Sequence, residues 1–361
     1  MAIRCVGCGE ILQNEHENKK GYTPKLEDVK YCQRCFRMMH YNELPKVLAE
    51  KEDYLKVVDH VLKQNGLMIL VVDIFAFTTS FSQEIIDKLR DQDVILVVNK
   101  IDLLPKSINI NDILNFVSKE CEKQFFRVIA IHMASAQKGY YLDELMNTID
   151  LCRRGRNVYI LGVANVGKST FINALLKRFT SRTTDVIATS LIPGTTLDEI
   201  VIPFFDDNKA FIDTPGLIND EYILHHIDVN DYTKVLPKGE IRPLTYQVFG
   251  DYTYFIGGLG YITFTNAKNI SAVFYISREL DVTRVRNDKL SHTLNERLGK
   301  SILPVSKDPF VVEEMVCHNK TNIFFSGFGF VTITGSTKVK VGYLKGTKVK
   351  RYGNILSNRK K

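Results

Sequence analysis

Long apolar runs are missing from this sequence of 361 residues. The best candidate, Leu67 to Phe77, covers only eleven residues and contains Asp73, so it is too short and too polar to cross a bilayer. A secretory signal is missing as well, since the chain begins MAIRCVGCGE. Both absences argue against a membrane or secreted protein and predict a cytoplasmic one, in which thiols stay reduced. The seven cysteines are then expected to be metal ligands or free thiols.

Acidic residues are missing from the carboxyl-terminal stretch. From Met315 to Lys361 the chain has ten lysines and arginines and no aspartate or glutamate, within a whole-chain net charge of +7. Such local positive charge favours a polyanionic partner, and nucleic acid more than a membrane. A solvated tail that only keeps the protein soluble is the alternative.

Two cysteine pairs stand near the amino terminus. Cys5 and Cys8 form one C-x2-C, and Cys32 and Cys35 form another after a gap of 23 residues. Four thiolates at this spacing suit a structural Zn²⁺ ion. The polar residues between the pairs cannot build a core, so metal binding would supply the free energy of folding. Two redox motifs are the alternative, disfavoured because neither pair stands between a strand and a helix.

A phosphate-binding pattern lies in the middle of the chain. GVANVGKS, residues 162–169, matches G-x4-G-K-[ST], with an apolar strand (VYIL) before it and helical periodicity (STFINALLKRF) after it. The backbone N–H groups of this turn and the helix amino terminus favour a phosphate. Lys168 is predicted to reach the β- and γ-phosphates and Ser169 to ligate Mg²⁺. The nucleotide-contacting set here is Gly162, Asn165, Val166, Gly167, Lys168, Ser169 and Thr170.

Two further motifs follow this loop. DTPG places Asp213 at the end of a predicted strand, where it suits a second Mg²⁺ contact, and Gly216 where its N–H can sense a γ-phosphate. Between them, PGTT offers Thr196, preferred over Thr195, as a further Mg²⁺ ligand. The run DEIVIPFF-DDNK-AFID predicts a hairpin whose second strand delivers Asp213.

A guanine-reading pattern precedes the phosphate loop. VILVV predicts a buried parallel strand and NKID follows it, with Asn99, Lys100 and Asp102. Asp102 can accept hydrogen bonds from guanine N1–H and the 2-amino group, donors that adenine lacks. Asn99 would brace the loop, and the Lys100 stem would cover the base. Farther on, a second loop contains Ser135 and Ala136, where the Ala136 N–H suits the guanine 6-oxo group.

The order of these motifs is rotated relative to small GTPases, in which the phosphate loop comes first. A rotated order with every element intact implies a circularly permuted α/β domain with a mainly parallel sheet. A doubly wound sheet tolerates permutation because its sites lie at the carboxyl ends of the strands whatever the connectivity.

Together, the four cysteines and the motifs NKID, SAQKG, GVANVGKS, PGTT and DTPG resemble the YqeH family of circularly permuted GTPases. The carboxyl-terminal stretch VFYISRELDVTRVR fits the same family. The resemblance implies a GTPase that assists assembly of the small ribosomal subunit with its rRNA or proteins as partners, and we expect a monomer. It implies a four-cysteine zinc finger (1–45), a permuted GTPase domain (46–220) and a β-rich, RNA- or protein-binding domain (221–361).

Two positions depart from the pattern of small GTPases. The water-orienting glutamine after Asp-x-x-Gly is replaced by Leu217, so another group must assist hydrolysis. Asn165 stands where related potassium-activated GTPases hold K⁺, which would neutralise charge between the β- and γ-phosphates. We therefore expect slow intrinsic hydrolysis stimulated by K⁺. A loop-bracing role is the alternative for Asn165.

The remaining residues predict a β-rich (α+β) domain. Alternation over 244–277 predicts antiparallel strands with turns at Gly257-Gly258 and Asn266, and Arg284 to Leu298 could be a helix. Aromatic residues there could stack bases, with core packing as the alternative, and tail cations could contact phosphates. The aromatic set is Phe324, Phe325, Phe328, Phe330 and Tyr343; the tail set is Lys338, Lys340, Lys345, Lys348, Lys350 and Arg351.

Three functions remain open on the sequence. The first is a GTPase acting on immature small ribosomal subunits, in which γ-phosphate contact at Gly216 orders the segment that leads to the last domain. The second is a GTP-gated adaptor for another RNA or protein, with little hydrolysis. The third, a zinc-dependent DNA-binding regulator, has only the cysteines and the basic tail behind it.

Overall fold

The computed structural model describes residues 3–5, 11–16, 21–27, 29–33, 36, 48–49, 51–179, 192–193 and 199–353. The chain forms two compact units. The first unit comprises Met1–Val71, Ile86–Asn99 and Phe125–Ile218; the second comprises Val72–Ile85, Lys100–Gln124 and Asn219–Lys361. The domain bounds 1–45, 46–220 and 221–361 stay a prediction.

The first 217 residues supply nine strands and six helices in the described part. The strands are β1 (Leu48–Ala49), β2 (Gly66–Asp73), β3 (Val94–Asn99), β4 (Ala130–Met133), β5 (Asn157–Leu161), β6 (Ile192–Pro193), β7 (Ile200–Pro203), β8 (Ala210–Asp213) and β9 (Gly216–Leu217). The helices are α1 (Lys51–Leu62), α2 (Phe77–Ser80), α3 (Gln83–Leu89), α4 (Ile110–Lys123), α5 (Leu142–Arg153) and α6 (Lys168–Phe179).

A seven-stranded sheet carries the motif loops, in the order β4-β3-β2-β5-β8-β7-β6. β3 pairs with β4, β2 with β5, and β5 with β8, all in parallel. Every residue of β2 and β3 is buried, as expected of parallel strands covered on both faces. The predicted mainly parallel sheet is confirmed. The predicted hairpin is confirmed too, because β7 pairs antiparallel with β8 and sets Ile200 opposite Asp213.

From residue 219 to residue 353, the chain forms eight strands and two short α-helices. The strands are β10 (Leu244–Ile256), β11 (Gly260–Ile276), β12 (Val282–Arg286), β13 (Phe310–Cys317), β14 (Lys320–Phe325), β15 (Gly329–Thr334), β16 (Thr337–Leu344) and β17 (Val349–Tyr352). The helices are α7 (Tyr232–Val235) and α8 (Leu290–Glu296).

These strands make an eight-stranded antiparallel sheet, which confirms the predicted β-rich region. The long strand β11 pairs along its length with β10, while its first half also pairs with β16 and its second half with β15. Two local predictions were wrong. Asn266 lies inside β11, where its positive φ of 51° accompanies a register shift rather than a turn. Arg284 belongs to β12, and the helix begins only at Leu290.

Aromatic residues build one part of the core of the second unit. Phe330 on β15 stacks on Phe324 of β14 with ring centroids 4.5 Å apart, and on Tyr275 of β11 at 4.6 Å. On α4, Phe116 meets Phe324 at 6.4 Å and Tyr352 of β17 at 5.1 Å. Helix α4 begins at the cap of Asn109, whose side chain accepts the Asn111 N–H, and its apolar face thus packs on strands more than 200 positions later in the sequence.

No helix in the described ranges is long and apolar enough to cross a membrane.

Candidate nucleotide-binding site

The phosphate loop joins β5 to α6 through backbone conformations that favour glycine. Gly167 has a φ of +93° and Gly162 a φ of +153°. A Cβ on Gly162 would lie 2.6 Å from the Val71 carbonyl oxygen, so no larger residue fits without a shift. Asn165 adopts the left-handed region with φ +66°, which asparagine tolerates better than most residues. The loop therefore turns its backbone tightly in front of the amino terminus of α6, as phosphate binding requires.

Lys168 is the first residue of α6, and its side chain is buried. The ammonium group donates to the Thr214 carbonyl oxygen and lies 4.0 Å from Oδ1 of Asp213. Burial lowers the pKa of Lys168 to about 8, while the Asp213 carboxylate acts in the opposite direction. A bound phosphate would supply the anionic partner that this desolvated cation needs.

Oxygen donors for a divalent cation stand beside this lysine. Asp213 ends β8 with only 4% of its surface exposed, and Ser169 is half-buried on the first turn of α6. The next residue, Thr214, is fixed by donating from Oγ1 to the Ile160 carbonyl oxygen of β5 at 2.8 Å. A carboxylate and a hydroxyl are the kind of ligand that Mg²⁺ prefers, so these residues fit the predicted ion. The third predicted ligand, Thr196, lies outside the described residues.

Asn99 connects two of the predicted loops. It ends β3, is 2% exposed, and donates from Nδ2 to the Val166 carbonyl oxygen of the phosphate loop at 2.9 Å. Its Oδ1 accepts the Ala136 N–H at 3.0 Å. Both polar ends of one buried amide are thereby used, one in the phosphate loop and one in the loop after β4. The sequence assigned Asn99 a bracing role, and these contacts show which two loops it holds.

The loop after β4 is a compact turn. Ser135 is fully buried, and its hydroxyl accepts the Lys138 N–H at 3.0 Å. The Ala136 N–H, assigned to the guanine 6-oxo group on sequence, donates to Asn99 in this structure. Its contact with guanine remains a prediction, and it would require this donor to be shared or released.

Lys100 and Asp102 follow Asn99 in the sequence and belong to the second unit. Lys100 has a left-handed φ of +66°, and its ammonium nitrogen lies 2.6 Å from Oδ2 of the buried Asp73. Asp102 is half-buried in a short turn over Ile101–Leu103. No sequence motif includes Asp73, since a single acidic residue at the end of an apolar strand has no characteristic spacing from other functional residues.

The strand after Asp213 lies against the phosphate loop. Gly216 and Leu217 form β9, which pairs in parallel with β1. The Leu217 N–H donates to the Gly162 carbonyl oxygen at 3.3 Å, and its carbonyl oxygen accepts the Ala164 N–H at 2.7 Å. The Leu217 side chain is 3% exposed. The residue that replaces the usual glutamine is therefore buried, and its backbone is fixed to the loop that would hold the phosphates.

Tyr54 is a contributor that sequence reasoning missed. It is fully buried on α1, and its hydroxyl accepts the Gly162 N–H at 3.2 Å. Burial raises the pKa of the phenol, so it stays neutral. An aromatic residue on an amphipathic helix carries no signal that separates such a contact from ordinary packing.

Two of the four predicted zinc ligands are described. Cys5 and Cys32 are both buried and belong to one small apolar cluster, and the Cys32 N–H donates to Sγ of Cys5 at 3.1 Å. Two buried cysteines, one of which accepts a backbone N–H at its sulfur, fit thiolate ligands of a structural zinc ion. Cys8 and Cys35 lie outside the described residues. Within the described part, no cluster of three or more histidine, cysteine or acidic side chains could hold a metal.

The aromatic residues suggested for base stacking are mostly core residues. Phe324, Phe325, Phe328 and Phe330 are each at most 2% exposed, so they cannot meet a base, and that prediction was wrong for them. Tyr343 is half-buried. These phenylalanines pack in the core of the eight-stranded sheet. Core packing was the alternative to base stacking in the sequence analysis.

The sequence of this chain is similar to those of several known proteins. A family model described as "50S ribosome-binding GTPase" matches residues 157–236. Protein YqeH of Bacillus subtilis is 33% identical over 351 residues, which cover 94% of this chain and 95% of YqeH. The chain belongs to the YqeH family. NO-associated protein 1 of Arabidopsis thaliana, chloroplastic/mitochondrial, is 28% identical over 84% of this chain and 62% of its own length. GTPase Der of Aquifex aeolicus is 32% identical over 52% of this chain and 43% of Der.

The predicted resemblance to the YqeH family is thus confirmed, and the chain is a GTPase. Membership in a GTPase family implies GTP, GDP and Mg²⁺ as ligands. Three parts of the predicted nucleotide site, Asn99, the phosphate loop and Asp213, lie at the carboxyl ends of β3, β5 and β8.

Proposed function

We propose that this GTPase is a ribosome biogenesis factor that acts in assembly of the small ribosomal subunit. Its domain would be circularly permuted, with the guanine motif before the phosphate loop. The YqeH resemblance supports the small subunit, whereas the family model that matches residues 157–236 is described by binding to the large, 50S one. A test of the proposal therefore needs both subunits. We further propose that the chain works as a monomer.

The observation that carries the nucleotide part of this proposal is the double contact of Asn99. One buried side chain holds the Val166 carbonyl of the phosphate loop and the Ala136 N–H of the loop after β4. A link between these loops is expected if one nucleotide uses both, with its phosphates at the first and its base at the second. Because Asn99 is 2% exposed, both ends of its amide need partners within the protein, and both partners belong to predicted nucleotide-binding loops.

The proposed roles follow from the type and place of each residue. Lys168 binds the β- and γ-phosphates together with backbone N–H groups of the phosphate loop, and the Gly216 N–H senses the γ-phosphate. Asp102 accepts hydrogen bonds from guanine, and the Lys100 stem covers the base. Ser169, Thr196 and Asp213 would hold Mg²⁺, which neutralises phosphate charge when bound.

Hydrolysis is proposed to be slow without help. Leu217 cannot orient water, and its side chain is buried. We propose that Asn165, in its left-handed turn of the phosphate loop, helps hold K⁺, whose charge would stabilise the transition state.

A structural Zn²⁺ ion is proposed for the four cysteines, and the burial of Cys5 and Cys32 supports it. Purified protein should contain one zinc ion per chain by elemental analysis, and Cys5→Ser should lose it and destabilise the amino-terminal segment. Zinc content that is unchanged in Cys5→Ser would count against this site.

Nucleotide state is proposed to act on the carboxyl-terminal region through the segment after Gly216. In the second unit this segment is well packed: Ile223 and Val235 are fully buried, and the Ile223 N–H donates to the Ser326 carbonyl oxygen at 3.1 Å. We propose that the orientation of the residues from about 240 onward depends on the bound nucleotide. Identical small-angle scattering with GDP and with a non-hydrolysable GTP analogue would argue against this coupling.

The basic carboxyl-terminal residues are proposed to contact RNA phosphates. Residues that already form ion pairs within the protein are weaker candidates for this contact than residues that form none. Lys340 lies 3.6 Å from Glu314, Lys348 lies 3.4 Å from Glu221, and Lys350 lies 4.0 Å from Glu120. Arg351 donates to the Val316 carbonyl oxygen. Within the described residues, Lys338 and Lys345 form no ion pair and are exposed, so they are the better candidates.

Charge reversal tests this ranking. Lys338→Glu with Lys345→Glu should weaken RNA binding and lower the slope of log affinity against log salt by about 0.7 for each lost contact. The matched double variant Lys340→Glu with Lys348→Glu should have a smaller effect on binding. Unchanged association of both variants with ribosomal subunits would remove the tail from the proposal.

The rate of GTP hydrolysis by the purified protein tests the main proposal. It is measured in KCl and in NaCl, and in each salt with the protein alone, with small ribosomal subunits and with large ribosomal subunits. We expect stimulation by K⁺ and by small subunits. Stimulation by large subunits alone would assign the protein to the other particle. Equal rates in the two salts would remove the role of Asn165.

A GTP-gated adaptor with little hydrolysis is the second candidate, and the burial of Leu217 is the observation that favours it. It predicts tight guanine-nucleotide binding, nucleotide-dependent partner binding, and no turnover above the level of a Lys168→Met variant under any of these conditions.

A further inference from the structure

Asp73 is a buried carboxylate to which neither motif nor family resemblance assigns a role. It ends β2 with 3% of its surface exposed. Its Oδ1 accepts the Phe75 N–H at 2.8 Å, and its Oδ2 lies 2.6 Å from the ammonium nitrogen of Lys100. A charge buried this deeply is retained only where it is paired. Its partner is the lysine of the NKID motif.

The turn that follows Asp73 is fixed by its own hydrogen bonds. The Asp73 N–H donates to Oγ of Ser80 at 3.1 Å, and that hydroxyl donates to the Ala76 carbonyl oxygen at 2.8 Å. Thr79 also donates from Oγ1 to Ala76, at 3.1 Å. Ser80 and Thr79 are both buried. The carboxylate therefore stands on a rigid support and does not simply follow wherever the lysine moves.

Lys100 needs such a support because of its backbone. With φ at +66° it occupies the left-handed region, which is unfavourable for a long side chain and persists where the surroundings hold it. Its carbonyl oxygen accepts the Leu103 N–H at 3.1 Å and so opens the turn over Ile101–Leu103. Asp102 lies within that turn. The position of Lys100 thus sets where the next carboxylate points.

We propose that Asp73 is a positioning residue for guanine recognition. Its carboxylate holds the Lys100 ammonium, keeps the strained residue in place and thereby orients Asp102 toward the base. Asp73 itself touches no nucleotide. This inference rests on the proposed function, in which NKID reads guanine. The alternative is that Asp73 only satisfies the fold, in which case base selectivity would not depend on it.

The test is a double-mutant cycle on base selectivity. Affinities of fluorescent GDP and ADP derivatives are measured for the wild type, Asp73→Asn, Lys100→Met and the double variant. Asp73→Asn keeps an acceptor for the Phe75 N–H but loses the charge. We expect GDP binding about tenfold weaker, the effect of one charge-assisted hydrogen bond, with ADP binding unchanged. Because Asp73 acts through Lys100, the double variant should be no weaker than Lys100→Met alone.

A matched control comes from Asp93, whose carboxylate lies 2.7 Å from Arg156. Asp93→Asn also breaks a carboxylate–cation pair and should leave the GDP to ADP ratio unchanged. The ratio of the two affinities is used because it is independent of the folded fraction, so partial unfolding of Asp73→Asn does not disguise the result.

The outcomes distinguish failure of the proposed guanine site from failure of the positioning role of Asp73. If the wild type does not prefer GDP over ADP, the proposed guanine site itself is wrong. If the wild type prefers GDP and Asp73→Asn keeps that preference, the positioning role is wrong while the site stands. Losses that add in the double variant would also overturn it, since Asp73 would then act independently of Lys100.

Discussion

The seven-stranded sheet places buried polar residues at its strand ends, whereas the eight-stranded sheet buries aromatic residues along its strands. Asp73, Asn99 and Asp213 end β2, β3 and β8, and none is more than 4% exposed. Phe324 and Phe330 lie within β14 and β15 and are 1% exposed. A buried polar group costs free energy unless it is paired, so a buried polar residue is a candidate for a functional or positioning role. A buried aromatic residue stabilises by its burial alone and therefore says little about function.

The largest effect is expected in the aromatic core, where loss of one ring should destabilise the protein. Phe330→Ala removes a ring stacked on Tyr275 and Phe324, and should lower the free energy of unfolding by about 3–5 kcal/mol. Chemical denaturation measures this, with the exposed Val312→Ala as a control expected to change it by less than about 0.5 kcal/mol. Unchanged stability with lost RNA binding would instead restore the base-stacking role.

The next largest effect is expected on GDP affinity when the buried Lys168 is replaced. Lys168→Met should weaken GDP binding about a hundredfold, because the desolvated ammonium is the cation for the phosphates. The same variant should lower the melting temperature of the nucleotide-free protein, since it removes the cation 4.0 Å from the buried Asp213 carboxylate. Equal GDP affinity with wild type would show that this lysine is structural.

A smaller effect is expected at the glycine of the phosphate loop. Gly162→Ala adds a Cβ 2.6 Å from the Val71 carbonyl oxygen at a φ of +153°, and should cost about 1–3 kcal/mol of stability together with nucleotide affinity. Gly239→Ala is the matched control, because a Cβ there meets nothing within 4 Å. Similar melting temperatures for the two variants would contradict the close approach seen here.

The smallest effect is a pH dependence. The pKa of Lys168 is lowered to about 8 in the nucleotide-free protein, and a bound phosphate should raise it. The complex then holds more protons than the free protein above pH 8, so GDP affinity should fall by up to about tenfold per pH unit there and stay constant below pH 7. Calorimetry in buffers of different ionisation enthalpy should detect proton uptake, and Lys168→Met should show none.

The sequence could predict those parts of the molecule in which chemistry demands rare residues at fixed spacing. The phosphate loop, the hairpin ending at Asp213 and the bracing role of Asn99 follow from such patterns. Asp73 and Tyr54 could not be found, because their partners Lys100 and Gly162 come from segments 27 and 108 positions away. The predicted start of a helix at Arg284 was wrong because this residue belongs to β12, which pairs with β10, and tertiary pairing overrides a local pattern.

Selective binding of guanine nucleotides can be tested by competition of GTP and of ATP against a bound fluorescent GDP derivative. If Asp102 reads guanine, GTP should displace the probe at concentrations about a hundredfold or more below those of ATP. Displacement by both nucleotides at the same concentrations would contradict a guanine site and leave only a phosphate-binding loop.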